Sequence, residues 1–267
     1  MNEDEVKKTN DIGTISILMA AFNAEKTINM AIDSVLAQTY SKWELIIIND
    51  CSTDNTLSIV QEYSEKDKRI IVINNDVNKG VSVSRKEGLE QASGEWIAIL
   101  DSDDAWEKIK LNKQVLRQKE TNGDIIYTGS AFMDSNGKKM NWIFEVPSRI
   151  EYKKLLMQNV ISNSSTIVRK SLFERYYSKG DNMHEDYANW LRILKDGYTA
   201  YGINEPLLIY RIQKNSKTGN KLQSATMNWN TYRYVGLNVI QSAWYMAAYT
   251  INGIKKYSKL LKNEKRD

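Results

Sequence analysis

Three carboxylates stand within four positions of one another in Leu100-Asp101-Ser102-Asp103-Asp104. They close Glu95–Leu100 (EWIAIL), an apolar run that predicts a buried strand. In open α/β sheets, ligands bind beyond the carboxyl ends of the strands, so this is a place for a site. Carboxylates this close repel, and each resists ionisation beside the others. A divalent cation offsets the repulsion, and magnesium or manganese suits hard oxygen ligands. An Asp helix cap explains one carboxylate and leaves two.

A second group, Asn49-Asp50-Cys51-Ser52-Thr53-Asp54, follows another apolar run. A carboxylate at that strand end, Asp50, can accept a ring N–H from a nucleobase; a helix-capping loop is the competing reading. Cys51 reads as a small packed residue. In Asn78–Gly88 (NKGVSVSRKEG), Gly80 permits a tight turn into a helix, and Arg85 lies one to two turns further in. That cation can face a base or a diphosphate, or hold acidic loops in place. In the second half, Glu185 and Asp186 read as favourable first-turn charges of a helix.

These residues need a frame. Thr14–Ala20, Trp43–Asn49, Arg69–Asn74 and Glu95–Leu100 are strand runs, with helices predicted over Glu25–Gln38, from Ser52 or Thr53 to about Tyr63, and over Val81–Gln91. Strand and helix alternate as in a parallel α/β sheet. Beyond Trp106 the rhythm changes: a charged helix over 107–120, a strand over Ile125–Met133, a helix over Ile150–Asn159, a short strand over Ser164–Val168 and a helix over Asp186–Lys195. One α/β domain with an elaborated second half is expected.

The 267 residues are 42% hydrophobic and 26% charged, as in ordinary globular chains. One cysteine and one histidine, His184, exclude a disulfide framework and a structural zinc site. No G-x-G-x-x-G or G-x-x-x-x-G-K-[ST] is present. The charged start MNEDEVKKTND carries no secretory signal, so a cytoplasmic protein is expected. The net charge of +4 is uneven: from Lys214 onward there are ten basic and two acidic residues. Tyr234–Ile254 holds no charge, and Lys255, Lys256, Lys259, Lys262, Lys265 and Arg266 follow. Val235, Val239, Ala243, Met246, Ala247, Ile251 and Ile254 predict one apolar helix face. Trp244, Tyr245 and Tyr249 favour a headgroup zone. An interfacial helix on an anionic membrane is the reading, with a core-packed soluble helix as the alternative. Basic charge gathered at one end speaks against nucleic acid.

Together, Ser16–Asn23 (SILMAAFN), Gln38-Thr39-Tyr40 with Glu44–Asp54, Asn78–Gly88 and Leu100–Asp104 resemble the family 2 glycosyltransferases, over about residues 12–215. The resemblance implies the GT-A fold, a mostly parallel central sheet flanked by helices with a C-terminal helical extension. It implies an inverting transferase taking a nucleotide-diphospho-sugar donor with Mn2+ or Mg2+. Ala21, Phe22, Asn23 and Glu25 would lie in the nucleotide pocket, with Asp50 on the base and Arg85 supporting the nucleotide site. Asp101 would lie near the ribose or donor sugar, and Asp103 would hold the metal. Asp186 would be the catalytic base and Glu185 an acceptor contact. Trp190, one turn on, would stack on an acceptor sugar or pack in the core, and His184 would stand behind the site. Tyr210–Ser216 (YRIQKNS) matches a family stretch in which Gln213 replaces a histidine, a weaker metal ligand; Lys86 stands where Asn is common. Arg211, Lys214 or Lys217 would then contact the diphosphate.

Residues 1–213 form the expected catalytic domain, with a nucleotide-sugar half over 12–106 and an acceptor half over 107–213. Residues 214–267 form a basic, membrane-associating extension. The expected reaction moves a hexose from UDP-galactose or UDP-glucose to a lipid-linked saccharide at the inner membrane face, as in O-antigen or capsule synthesis. Alternatives are a nucleotidyltransferase, or a non-catalytic nucleotide-sugar-binding or membrane-docking module.

Overall fold

The apolar runs of the first hundred residues become β1 (Ile15–Ala21), β2 (Trp43–Asn49), β3 (Ile70–Asn74) and β4 (Trp96–Ile99). They lie side by side as β3-β2-β1-β4, all parallel, joined through α1 (Ile28–Leu36), α2 (Thr56–Lys66) and α3 (Val81–Gln91). The structure, a computed structural model, describes residues 11–178, 180, 182–213 and 221–263, with 221 and 255–263 described by backbone alone.

Both sheet faces are covered, which is why these strands read as continuous apolar runs. Leu18, Ile46, Ile48, Ile97 and Ile99 point into one core with Leu89 of α3. Ile17, Met19, Leu45, Ile47 and Ala98 point into the other with Ile28, Ala31, Ile32 and Val35 of α1. At Gly88 an added Cβ would come 2.6 Å from Ile48 Cδ1, so a larger residue there would have to turn the Ile48 side chain aside.

The second half comprises β5 (Ala105–Trp106), α4 (Lys110–Thr121), β6 (Ile125–Met133), β7 (Lys139–Phe144), β8 (Arg149–Ile150), α5 (Tyr152–Met157), a 3-10 turn at Asn163–Ser165, β9 (Ile167–Arg169), α6 (Lys170–Tyr176), α7 (Glu185–Lys195) and β10 (Ala200–Arg211). The sheet continues from β4 as β9-β6-β10-β5, with β7 on β6 and β8 on β10. Here it is mixed rather than mostly parallel: β6 and β10 run parallel, but β9 is antiparallel to both β4 and β6. The turn before β9 lies beside the carboxyl end of β4, where Asp101 N donates to Ser164 Oγ at 3.2 Å, so β9 has to run back.

Sequence reasoning passed over β7, α6 and β10. The last has register shifts around Pro206, which break the two-residue period that marks a strand. After it come α8 (Lys221–Tyr234) and α9 (Val239–Asn263). The boundary placed at 213/214 does not divide the packing. Tyr232, Val235 and Leu237 belong to the same core as α7, and Tyr232 Oη donates to Leu156 O at 2.6 Å. Among the described residues, no helix is long and apolar enough to cross a membrane.

Candidate functional site

A cavity of about 490 Å³ opens at the carboxyl edge of β1, β2 and β4 and is lined there by Ala21, Asp50 and Asp101. It falls in the range of small-ligand sites. Immediately past β1 and β2 the chain turns off the sheet edge through Asn23 and Cys51, both in left-handed conformation (φ 50° and 61°). The two turns are sewn together. Thr53 N donates to Asn23 Oδ1 at 2.9 Å and Asn23 N to Ser52 Oγ at 3.0 Å. Ala21, Phe22 and Asn23 line the cavity, with the Phe22 ring half exposed at its mouth. Glu25 does not line it. Its carboxylate accepts Asn55 N at 3.1 Å and Nδ2 at 3.0 Å, because the turn leading into α1 faces the residue that opens α2.

Asp50 is buried and lines the cavity. Its Oδ1 accepts Lys79 N at 2.9 Å and Asn75 Nδ2 at 3.1 Å, and its Oδ2 accepts Gly80 N at 2.8 Å. Burial works to raise its pKa, but these donors and the Ser84 hydroxyl together hold it below the usual carboxylate range. Gly80, at φ 83°, makes the turn that aims two consecutive amides at this carboxylate. Asp50 therefore anchors the start of α3 as well as facing the cavity.

The three clustered carboxylates separate into three environments. Asp101 pairs with Arg85. Asp103 Oδ2 accepts Gln213 Nε2 at 2.6 Å. Asp104 is buried, with Oδ1 accepting Arg211 N at 2.9 Å. Burial, then Asp101 and Asp103, push the Asp104 carboxyl well above its usual value. Asp104 thus belongs to the strand junction, and only two of the three carboxylates face the cavity. Repulsion is relieved partly by these partners, so it does not by itself demand a cation.

Arg211 also departs from expectation. Its Nε donates to Asp103 O at 2.9 Å and its Nη1 to Ser135 O at 3.2 Å, and it is not part of the cavity wall. A guanidinium whose Nε and Nη1 are both taken by carbonyls shapes the 101–104 loop from outside the cavity. Lys214 and Lys217 lie outside the described residues.

Arg85, almost fully buried, carries Asp101 on one side and Glu185 on the other, the latter at 3.2 Å. The Asn163 amide oxygen adds contacts of 3.1 and 3.3 Å in the orientation that satisfies both groups. Arg85 is thus a bridge between the donor-side loop and the start of α7. Asp186, the next residue, also lines the cavity. Burial and then the adjacent Glu185 push its carboxyl up to about 7, against the pull of Arg85. A carboxylate poised near neutral pH suits a general base.

Trp190 lies one turn beyond Asp186 on the same inward face, where the cavity has already ended. It is fully buried against Phe173, with ring centroids 6.1 Å apart, so it is a core residue and no acceptor platform. Trp190→Ala will cost about 3–5 kcal/mol of stability, the usual loss for a buried large aromatic. Urea unfolding reads this directly, and an unchanged midpoint would return the ring to the acceptor side.

His184, Gln213, Asn163 and Met227 also line the cavity. Asn163 and Met227 escaped sequence reasoning. The polar run Ser162–Thr166 between apolar residues was the one available signal for Asn163, and nothing marked Met227.

For a cation, the fit is to one that arrives with its ligand. Among the described residues no three His, Cys, Asp or Glu side chains gather as a ready cage. Magnesium-type ions are commonly held by one or two carboxylates together with substrate phosphates. Asp103 suits that role: burial and then Asp101 hold its pKa up, the mark of a carboxylate lacking a full counter-charge.

Comparison with known proteins shows the family and the fold. Residues 16–177 match the family model Glycosyl transferase family 2. TuaG of Bacillus subtilis, named for teichuronic acid biosynthesis, is 35% identical, covering 91% of this chain and 96% of its own. WfgD of Escherichia coli, a UDP-Glc:alpha-D-GlcNAc-diphosphoundecaprenol beta-1,3-glucosyltransferase, is 35% identical over 94% of this chain and 98% of its own. Among solved structures, the Pyrobaculum calidifontis mannosyltransferase PcManGT, in complex with GDP-Man and Mn2+, superposes with a TM-score of 0.67. It is 16% identical, covering 88% of this chain and 68% of that one, a likeness of fold.

Proposed function

This chain belongs to glycosyl transferase family 2 and is a transferase of GT-A fold, and from that premise we propose that it moves a hexose from a UDP-sugar to a lipid-linked saccharide in surface polysaccharide assembly. The observation that carries the reading is one cavity lined by Asp50, Asp101, Asp103 and Asp186 together. UDP-glucose and UDP-galactose are the favoured donors, the former supported by the name of WfgD. That name also supports a polyprenyl-diphosphate acceptor, and with it a peripheral position on the inner face of the cell membrane. O-antigen or capsule is the expected product class.

Residues 12–106 hold the donor. Asp50, held ionised at the cavity wall, takes a base N–H there, sharing an oxygen with the donors already present. Phe22, at the mouth, presents an aromatic face to the nucleotide. Residues 107–213 receive the acceptor. The acceptor hydroxyl attacks the anomeric carbon from the face opposite the diphosphate. The new C–O bond forms as the bond to the diphosphate oxygen breaks, and Asp186 takes the hydroxyl proton. This single displacement inverts the centre. A divalent cation held by Asp103 would neutralise charge on the departing diphosphate. Glu185 keeps Arg85 beside Asp186 and thereby tunes the base.

Incubation with UDP-glucose or UDP-galactose and a prenyl-diphosphate-linked N-acetylglucosamine is the direct test. A glycosylated lipid and free UDP in equal amounts are expected. Release of a sugar phosphate, or a nucleotidylated product, would replace this reaction with nucleotidyl transfer.

A further inference from the structure

α9 has two faces of opposite fate. Its inner face carries buried Ser242 and the half-buried Tyr245, Met246 and Tyr249, which pack on the α7 core. Tyr249 meets Tyr187 at 6.2 Å, and Asn252 Nδ2 donates to Met157 O at 3.2 Å. Its outer face carries Ile240, Trp244, Ala247, Ile251 and Ile254, spaced as neighbours on a helix. Ile240, Trp244, Ile251 and Ile254 are between 54% and 81% exposed. The apolar face read from the sequence is thus redrawn: Val235 and Met246 pack inward, and Ile240 and Trp244 join the outside. The core-packed reading holds for the inner face, and the outer face is left exposed.

Resting on the lipid-linked acceptor reading, we infer that this outer stripe is the surface by which the chain lies on an anionic lipid bilayer. Two observations select a bilayer over another occupant. The stripe is uncharged along its length, and the same helix runs on to Asn263 through a sequence with Lys255, Lys256, Lys259 and Lys262, Lys265 and Arg266 following or closing the chain. An apolar stripe followed by cations matches an acyl boundary under anionic headgroups. A bundle face awaiting a second copy has no need of such a charge run.

The stripe is also tied to the site. α8, which turns into α9 at Gly236, places Met227 in the cavity wall. His184 N donates to Thr231 Oγ1 at 3.1 Å, and Asn230 Nδ2 to Asn182 O at 2.8 Å. The helix pair that rests on lipid therefore forms the wall beside Asp186, and seating fixes how the cavity meets a lipid-borne acceptor.

Deleting the pair is a poor test, since Tyr232 and Tyr245 support the core. The triple variant Ile240→Ser/Ile251→Ser/Ile254→Ser alters exposed positions alone. The full chain and this variant are floated with phosphatidylglycerol-rich and with pure phosphatidylcholine vesicles. The full chain is expected to float with the anionic vesicles, less so in high salt, and the variant to lose at least about tenfold in partitioning. Equal flotation of both proteins, or no flotation of either, overturns the inference. So does a dimer of the full chain by light scattering that the variant loses, which makes the stripe a contact between copies. Transfer to a short-chain, detergent-soluble acceptor reports on the reaction separately. The variant keeps it, and its absence from both proteins with flotation intact strikes the catalytic reading and not the surface.

Discussion

Asp186→Asn will lower sugar transfer by about two orders of magnitude or more, with UDP affinity near wild type. The substitution keeps the shape of the side chain and removes the charge that accepts the acceptor proton, a contribution of ~10²–10⁴ in rate. Asp50 and Asp103, the residues proposed to hold the nucleotide and its cation, come from other segments than Asp186, so calorimetric UDP binding is expected to stay near wild type. The intact enzyme adds a signature. Burial and Glu185 raise the Asp186 pKa to about 7. Below that pH the carboxyl is protonated and cannot act as base; above it the carboxylate is free. kcat/KM should therefore rise through about pH 7 and level off. Glu185→Gln removes the repulsion that raises the pKa and leaves the Arg85 charge to Asp186. Its acid limb moves to lower pH, and its maximal rate falls less than that of Asp186→Asn. Near-normal transfer by Asp186→Asn, or an acid limb that stays put in Glu185→Gln, would place the base elsewhere.

Asp103→Ala will remove transfer, to at least about a hundredfold below wild type, since losing several kcal/mol of charge stabilisation costs a factor of ten per 1.36 kcal/mol. Chelation should do the same to the intact enzyme, with manganese or magnesium restoring it. A readout besides activity is available: Mn2+ binding in the presence of UDP, followed by electron spin resonance. Burial and Asp101 raise the Asp103 pKa, so proton and cation compete for this carboxylate and cation binding should weaken as pH falls. Full transfer after exhaustive chelation would refute the metal assignment, and a normal Mn2+–UDP signal in Asp103→Ala would move it to other ligands.

The donor half is legible in the chain because its strands are buried on both faces. Trp43–Asn49 and Val81–Gln91 run as the sequence predicts, to the residue, and so does Ile125–Met133 beyond it. Polar residues just past such strands have one place to go, the carboxyl edge, so Asp50 and Asp101 are found by position alone. Direction along a helix is less transparent. Trp190 shares a face with Asp186, yet the cavity closes after the first turn, a matter of how α5 and α6 pack on α7. Arg211 and Asp104 read as ligand-facing charges, but they meet each other across a strand junction 107 positions apart in the chain. Asn163 is polar among polar neighbours and acquires meaning only beside Arg85. Pairings at such separations leave no local pattern for periodicity to report.

Arg85 shares one guanidinium among Asp101, Asn163 and Glu185, three partners from three remote segments. The energetics of this knot are therefore collective. Removing the arginine leaves two partly exposed carboxylates without their shared cation at once, whereas removing one carboxylate lets the cation lean toward the other. Losses measured at these positions one by one will not sum to the loss of the group, because each substitution resets the reference for the next. No share of the transfer rate belongs to any one of them; what evolution can tune here is the set, and a change at position 85 rewrites the meaning of positions 101, 163 and 185 together.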